Sequence, residues 1–181
     1  MAASIIFTAI GSDRPGLVRA LSEKVAASGG NWLESRMAHL AGQFAGIVLV
    51  SVPEPDAEAL ITSLRELETL GLHLTIERGL NEVMPPTPNS FKLEVMGHDH
   101  PGIVRDIARA LEDRGVNIEE LATEIVKGSW SGTSLFRATA LLRTPGELKI
   151  AELRDVLERL AGDLTVEISL DDVPKSAGTE S

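Results

Sequence analysis

The chain has 181 residues, of which 43% are hydrophobic, and a formal net charge of −10. A surface this acidic repels phosphate backbones, and the chain has few aromatic residues and no tyrosine for base stacking, so the composition argues against direct nucleic-acid binding. No apolar run is long enough to span a membrane, and the absence of cysteine excludes disulfides and thiolate metal sites and fits a reducing, cytoplasmic setting.

The first predicted element is a strand at residues 4–10, an apolar run that ends at a glycine. A turn follows at 11–14, and Pro15 suits the first turn of a helix because its missing N–H is not needed there. Apolar residues at helical spacing carry this helix to about residue 28, where two glycines end it. The apolar stripe consists of Leu17, Val18, Leu21 and Val25.

Two strands at 31–40 and 43–52 come next, and the tight turn between them predicts a hairpin. A second amphipathic helix begins after Asp56, a candidate N-cap, and ends near Gly71. Residues 72–77 alternate between apolar and polar, which indicates a fourth strand. The resulting order, β-α-β-β-α-β, is that of the ferredoxin-like split βαβ motif.

The second half repeats this order, with its extra residues expected in the hairpin loop at 128–133. The sequence therefore predicts an α+β protein with two ferredoxin-like domains, at 1–79 and 91–170. Each domain should have an antiparallel sheet with its helices on one face. A proline-rich linker at 80–90 joins them, and a polar tail occupies 171–181.

An internal repeat underlies this symmetry. The nonapeptide from Gly11 to Arg19 (GSDRPGLVR) matches the one from Gly97 to Arg105 (GHDHPGIVR) at a spacing of 86 residues. The alignment continues past the first helix of each half, where Asn31 matches Asn117. In both halves a turn of the form Gly-x-Asp-x-Pro-Gly lies between the first strand and the first helix.

This turn has the groups that an amino-acid site needs. Gly11 and Gly16 permit positive φ or close approach of the backbone, and the helix that follows favours an anion at its N-terminus. We expect Asn31 to lie at the same end of the fold, so that backbone N–H groups bind a carboxylate while Asp13 or Asn31 binds an ammonium group. The structural alternative is that Asp13 is only an N-cap and Asn31 only part of a helix C-cap.

The two halves differ on the outer face of the first strand. Polar residues are expected on the face of a sheet that carries no helices. The second half follows this rule better than the first, which suggests that another domain or subunit covers the first half's open face. The residues compared are Ile6, Thr8 and Ile10 in the first half and Lys92, Glu94 and Met96 in the second.

Other chemistry is weakly supported. The His98-Asp99-His100 segment could suggest a metal site, but alternate residues of a turn diverge and no third cluster accompanies them. No Gly-x-Ser-x-Gly elbow, P-loop or Gly-x-Gly-x-x-Gly motif occurs, so we predict no catalytic residue, no metal and no cofactor. Trp32 is expected in the core, and Trp130 in a loop or on a partner surface.

Within its predicted β-α-β-β-α-β order, the repeated motif resembles that of the ACT family, at residues 4–78 and again at 91–170. The second half, with its DHPGIV, GVNIEEL and SGTSLF segments, is similar to the tandem-ACT group of glycine cleavage system transcriptional repressors. The resemblance implies ligand binding against the strand–helix turns. The residues it implicates are Gly11, Asp13, Pro15, Gly16, Asn31, Gly97, Asp99, Pro101, Gly102 and Asn117.

The resemblance also implies a function. It indicates a non-catalytic, cytoplasmic, amino-acid-sensing regulator that controls transcription of glycine cleavage or related amino-acid metabolism through a DNA-binding activator protein, without touching DNA. The alternative is a stand-alone regulatory module that controls a metabolic enzyme, and an unrecognised enzyme is a third possibility. Glycine and serine are the first ligands to consider, and a homodimer is expected. Ser12 and Arg14 stand where the second copy has His98 and His100, so the two sites should differ.

Overall fold

A computed structural model gives the fold and describes residues 1–79, 89–127, 134–144, 146 and 148–173. The chain divides into two compact units, Met1–Val83 and Met84–Ser181. Each unit has one four-stranded antiparallel sheet and helices on a single face of it. The predicted α+β class and the repeated β-α-β-β-α-β order are therefore confirmed.

The first unit has strand order β2-β3-β1-β4, so the first strand lies in the middle of the sheet. A short 3₁₀ segment precedes the second helix, and another follows it. The elements are β1 (Ala2–Ser12), α1 (Leu17–Ala27), β2 (Asn31–Leu40), β3 (Gln43–Pro53), a 3₁₀ turn (Glu54–Asp56), α2 (Ala57–Arg65), a second 3₁₀ turn (Glu66–Leu70) and β4 (Leu72–Arg78).

The second unit repeats this topology with order β6-β7-β5-β8. Its elements are β5 (Asn89–His98), α3 (Ile103–Glu112), β6 (Asn117–Lys127), β7 (Ser134–Thr144), α4 (Ile150–Leu164) and β8 (Val166–Asp172). The extra residues predicted at 128–133 lie outside the described residues, as does Trp130. Most of the predicted linker and tail also lie outside them, although Asn89 and Ser90 belong to β5 and Asp171 and Asp172 to β8.

Alternation of side chains along the central strand builds each core. In β1, Ile5 and Phe7 point towards the helices and are fully buried, whereas Ile6 and Ile10 point to the other face. Burying side chains of this size contributes about 1.5–3 kcal/mol each. Trp32 packs edge to face on Phe7, with ring centroids 6.2 Å apart, and so belongs to the core as predicted.

The predicted hairpin between β2 and β3 is confirmed. Ala41 and Gly42 both have positive φ, 49° and 77°, which is the conformation of a type I′ turn. This turn matches the right-handed twist of paired strands, so a two-residue loop suffices. It places the tip of the hairpin beside the end of β1, where Ser12 pairs with Gln43.

Two predictions about helix starts need correction. The first helix begins at Leu17, not Pro15, because Gly16 has φ of 95° and breaks the helical run just before it. Asp56 occupies the N-cap position of α2, as predicted, but its side chain makes no capping hydrogen bond.

None of the helices in the described part of the chain has the length and apolar character needed to cross a membrane.

Replacing Gly16 with alanine should destabilise the fold by about 1–2 kcal/mol, because an L side chain is strained at positive φ. The strain acts through the backbone alone, since a Cβ at Gly16 would have no atom within 4 Å. Chemical denaturation measures the change. Gly162→Ala is the matched control: it lies in α4 with equally open surroundings and without positive φ, and should stabilise by up to about 1 kcal/mol. Equal effects at both positions would contradict this explanation.

Candidate functional site

The repeated turn lies at one end of each sheet and is held by the adjacent hairpin. In the first unit, the backbone N–H of Asp13 donates to the carbonyl oxygen of Gly42 at 2.9 Å. In the second, the N–H of Asp99 donates to the carbonyl oxygen of Ser134 at 3.2 Å. The hydrogen bonding of β1 with β3, and of β5 with β7, therefore extends one residue into the turn. This extension fixes the position of each aspartate relative to its sheet.

The first glycine of the motif is required for packing. A Cβ at Gly11 would lie 2.6 Å from the carbonyl oxygen of Gly71, and a Cβ at Gly97 would lie 2.8 Å from the Cα of Val166. Real Cβ atoms do not approach backbone this closely, so both positions need glycine to let the last strand start alongside. These two glycines explain the fold of the turn without any ligand.

The second glycine sets the start of the helix. Gly16 and Gly102 have φ of 95° and 100°, and each is the N-cap of the helix that follows. Neither helix has a side-chain capping bond, so Asp13 and Asp99 are not N-caps. This observation removes the simplest structural role for the two carboxylates.

Asp13 has a neighbour that the sequence analysis missed. The Nε2 atom of His39 lies 3.6 Å from the Asp13 carboxylate, and both side chains are substantially exposed. His39 is on edge strand β2, opposite Phe44, and its counterpart opposite Phe136 in the second unit is Ile125. Only the two-residue hairpin and the strand register reveal this contact, because 26 residues separate the pair along the chain.

In the second unit, the carboxylate of Asp106 lies beside the strand–helix turn. Asp106 is in the first turn of α3 and bonds through both oxygens to Arg105, at 2.7 and 3.2 Å. This hydrogen bond to the guanidinium is the main reason that the pKa of the Asp106 carboxyl is lowered. A Cβ on Gly102 would lie 2.9 Å from Arg105 and 3.5 Å from Asp106, so the pair lies against the turn.

The first unit lacks this arrangement. Its residue equivalent to Asp106 is Ala20, and the first turn of α1 contains no acidic side chain. Arg19, the counterpart of Arg105, instead lies 3.5 Å from Glu23 one turn along the helix. The N–H groups and positive dipole end of α1 thus have no carboxylate of their own helix beside them, which leaves that end better suited to an external anion.

The second variable residue of the turn, Arg14 or His100, has the same structural role in both units. The Arg14 guanidinium donates to the carbonyl oxygen of Leu70, and His100 Nε2 lies 3.0 Å from the carbonyl oxygen of Leu164. Each of these leucines ends the last helical segment of its unit. Arg14 and His100 therefore make the same contact although they are different residues. The two turns differ more clearly in their surroundings, where the first has His39 and the second has Asp106.

The predicted position of the two asparagines is wrong. Asn31 pairs with Ser51, and Ser51 pairs with Ser4 near the start of β1. Gly11 is seven residues further along that strand, so it lies about 23 Å from Asn31 at about 3.3 Å per residue. The cause is that α1 runs back along the sheet before the chain returns to it.

The second unit has the same separation. Asn117 and Ser90 both pair with Arg143, whereas Gly97 pairs with Phe136 at the other end. Within each unit the structure therefore brings together the two glycines, the aspartate and the proline of the turn, but not the asparagine. The motif spacing could not reveal this, because it does not specify the direction in which the helix runs.

No metal centre is apparent among the described residues, where no group of three or more His, Asp or Glu side chains is placed to hold an ion. His100 is turned towards the carbonyl oxygens of Leu164 and Pro101.

Comparison with known proteins identifies the family. Models of the ACT domain match residues 3–77 and 92–162. These two matches cover most of the chain and coincide with the two β-α-β-β-α-β units. The chain therefore belongs to the ACT family and carries two ACT domains in tandem.

Individual relatives are also found. The glycine cleavage system transcriptional repressor of Escherichia coli K12 is 26% identical over 178 residues, covering 97% of this chain and 93% of the repressor. The repressor of Shigella flexneri is equally similar. Among solved structures, an unknown protein from Galdieria sulphuraria has a TM-score of 0.86 at 32% identity, covering 96% of this chain and 99% of that one.

A crystal structure of a putative glycine cleavage system transcriptional repressor has a TM-score of 0.70 at 20% identity, covering 96% of this chain and 98% of that one. At this identity the likeness concerns the fold. The fold is thus shared over almost the whole of both chains.

The Asp106 carboxyl should titrate below the usual range of aspartate, and Arg105→Met should raise its pKa by removing the hydrogen-bonded guanidinium. Because the folded-state pKa is depressed, the pair stabilises the fold above about pH 3.9, and this contribution disappears as pH falls through the folded-state pKa. Carboxyl-carbon NMR titration measures the shift. Arg19→Met, the equivalent change in the first unit, should leave Asp106 unaffected. An unchanged pKa in Arg105→Met would refute the assignment.

Proposed function

We propose that this protein is a non-catalytic amino-acid sensor that controls transcription of glycine cleavage or related amino-acid metabolism through a partner protein. The observation that carries this proposal is the similarity to the Escherichia coli repressor over 97% of the chain. The net charge of −10 supports action through a protein rather than by contact with DNA. Such a regulator would work in the cytoplasm.

The ligand site we propose is the strand–helix turn of each domain. The carboxylate of an amino acid binds the free N–H groups at the start of the helix, and its ammonium group binds Asp13 or Asp99. Gly11, Gly16, Gly97 and Gly102 shape the backbone, and Pro15 and Pro101 stiffen it. Both aspartates are exposed, and neither is committed to helix capping.

Asn31 and Asn117 have a different place in this proposal. Each lies about 23 Å from the turn of its own domain, given the strand rise of about 3.3 Å per residue. An amino acid is far shorter than this distance. Neither asparagine therefore contacts a ligand that is bound at the turn of its own domain.

The two turns are proposed to be unequal. In the first domain, the first turn of α1 contains no acidic residue. His39 adds a further polar group beside Asp13. In the second domain the Arg105–Asp106 pair already lies over the start of α3. Asp106 already compensates the positive end of α3 and the ion pair occupies the space beside the turn, so the first turn binds an incoming carboxylate more tightly.

Isothermal calorimetry with glycine and serine tests the site. Asp13→Ala should weaken binding roughly tenfold to a hundredfold, since a lost charge-assisted hydrogen bond costs about 1.5–3 kcal/mol. Asp99→Ala should reduce affinity less, because the second turn is the weaker site. Asp56→Ala is the control. Asp56 is exposed and follows Pro53, which pairs with Ala2 at the end of β1 opposite to the turn.

Unchanged affinity in both Asp13→Ala and Asp99→Ala would refute the site. The absence of binding by any amino acid would refute sensing itself.

The partner is tested separately by capturing proteins from the native cell with the tagged full chain. Enrichment of a DNA-binding protein, altered by the amino acid that calorimetry identifies, is the expected result. Enrichment of a metabolic enzyme would instead favour the alternative, a stand-alone ACT module that regulates that enzyme directly.

A further inference from the structure

A groove runs between the first helix and the edge strand of each domain, on the face of the sheet that carries the helices. In the first domain it lies between α1 and β2, and in the second between α3 and β6. Residues of β2 face this groove where their partners on β3 are buried, as His39 does opposite Phe44. We call it the helix–edge groove. Its first-domain members are Val18, Ser22, Trp32, Ser35, Met37 and His39.

The helix–edge groove of the second domain is more apolar. Leu121 is 47% exposed and Ile125 is 52% exposed, so both present apolar surface to a ligand. A change in the other direction replaces Met37 with Thr123. The repeat places apolar residues where the first groove has polar ones at three positions: Ala108 for Ser22, Leu121 for Ser35 and Ile125 for His39.

A narrow cavity continues the second groove beneath α3. The space between its walls, including the mouth, is about 340 Å³, and the described residues that line it all have apolar side chains. It extends from Val104, at the start of α3, and Phe136, the pairing partner of Ile125, inward to Leu111 and Ile118. Such a cavity accepts the apolar part of a ligand but not its charged groups, whose burial there would be uncompensated.

Larger side chains occupy the corresponding region of the first domain. Phe7 and Trp32 stand where the second domain has Leu93 and Ile118, and their rings pack edge to face with centroids 6.2 Å apart. Two aromatic rings fill more of the space under a helix than two aliphatic side chains do. The first groove therefore ends at Trp32, whereas the second continues under its helix.

We propose that the two domains sense different classes of amino acid. The first turn selects a small or hydroxyl-bearing amino acid, such as glycine or serine, and the second turn selects an aliphatic one, such as leucine. This inference rests on the proposed binding of amino acids at the turns and adds their selectivity. Backbone N–H groups and an aspartate recognise the carboxylate and ammonium that all amino acids share, so selectivity must come from the groove.

The geometry of the turn brings the ligand side chain to the groove. An ammonium group that pairs with Asp13 lies next to His39, because the Nε2 atom of His39 is 3.6 Å from that carboxylate. In the second domain Ile125 pairs with Phe136, which in turn pairs with Gly97, and His39 has the equivalent register in the first sheet. The residue beside the ligand is thus an imidazole in one domain and an aliphatic side chain in the other.

The expected selectivity follows from the groups that the ligand buries. Burial of each methyl or methylene group raises affinity about fourfold. Leucine has three more carbon atoms than alanine, so burial of one to three of them should favour leucine by roughly fourfold to sixtyfold at the second turn. At the first turn, a hydrogen bond from the serine hydroxyl to His39 should favour serine over alanine by about twofold to tenfold.

Amide NMR titration of the full chain with alanine, serine and leucine tests the selectivity, because each turn gives its own dissociation constant. Asp13 and Leu17 report on the first turn, and Asp99 and Ile103 on the second. Leucine should bind the second turn more tightly than alanine, and serine should bind the first turn more tightly than alanine. The preference for leucine should be weak or absent at the first turn.

Exchanging one residue between the grooves tests the cause. Ile125→His should reduce the affinity of the second turn for leucine by roughly fourfold or more, and His39→Ile should raise the affinity of the first turn for leucine. Both positions are exposed on edge strands, so circular dichroism should show folded variants. Met96→His is the matched control, because it adds an imidazole to the opposite face of the second sheet, and it should leave leucine binding unchanged.

The outcomes separate this inference from the proposed function. If no amino acid shifts either turn, sensing fails and the selectivity fails with it. If amino acids shift both turns with the same ratio of leucine to alanine affinity, sensing stands and the selectivity is refuted. An Ile125→His variant that binds leucine like wild type, or loses no more affinity than Met96→His does, would also overturn the proposal.

Discussion

The structure depends on the close approach of the central strand of each sheet to the start of the last strand. At Gly11 and Gly97 the neighbouring backbone leaves no room for a Cβ. At this contact the end of the first strand, the start of the third strand and the end of the last helical segment lie at one corner of each domain. Arg14 and His100 strengthen it by bonding the last carbonyl of that segment. The turn is therefore held by the fold before any ligand arrives.

The residues of the motif have two different roles. Its glycines and prolines set the backbone, whereas its aspartates are exposed and do not cap the helices, so they remain available to a ligand. The first part is closely similar in the two repeats, whereas the surroundings of the second part differ. His39 accompanies one aspartate and the Arg105–Asp106 pair lies over the other turn. The outer face of the first strand differs as well: Lys92 and Glu94 form an ion pair in the second domain, where the first domain has Ile6 and Thr8.

Much of the fold was predictable from local patterns. Hydrophobic periodicity located the strands and helices, and a two-residue turn predicted the hairpin at Ala41 and Gly42. One error is local: the first helix begins at Leu17 and not at Pro15, because Gly16 has positive φ. The other errors concern long-range geometry. Asn31 was placed at the wrong end because motif spacing does not show that α1 runs back along the sheet. The contact between His39 and Asp13 depends on strand register, which the sequence alone does not specify.

The central claim is that the exposed part of the repeated turn is where an amino acid binds. Backbone amide NMR during titration with glycine or serine tests it most directly, because every turn residue except proline reports separately. We expect the largest shifts at Ser12, Asp13, Leu17 and Val18, with smaller shifts around Asp99 and Ile103. Shifts centred on Asn31 and Asn117, or on the helix-free face of the first sheet, with the turns unaffected, would contradict the claim.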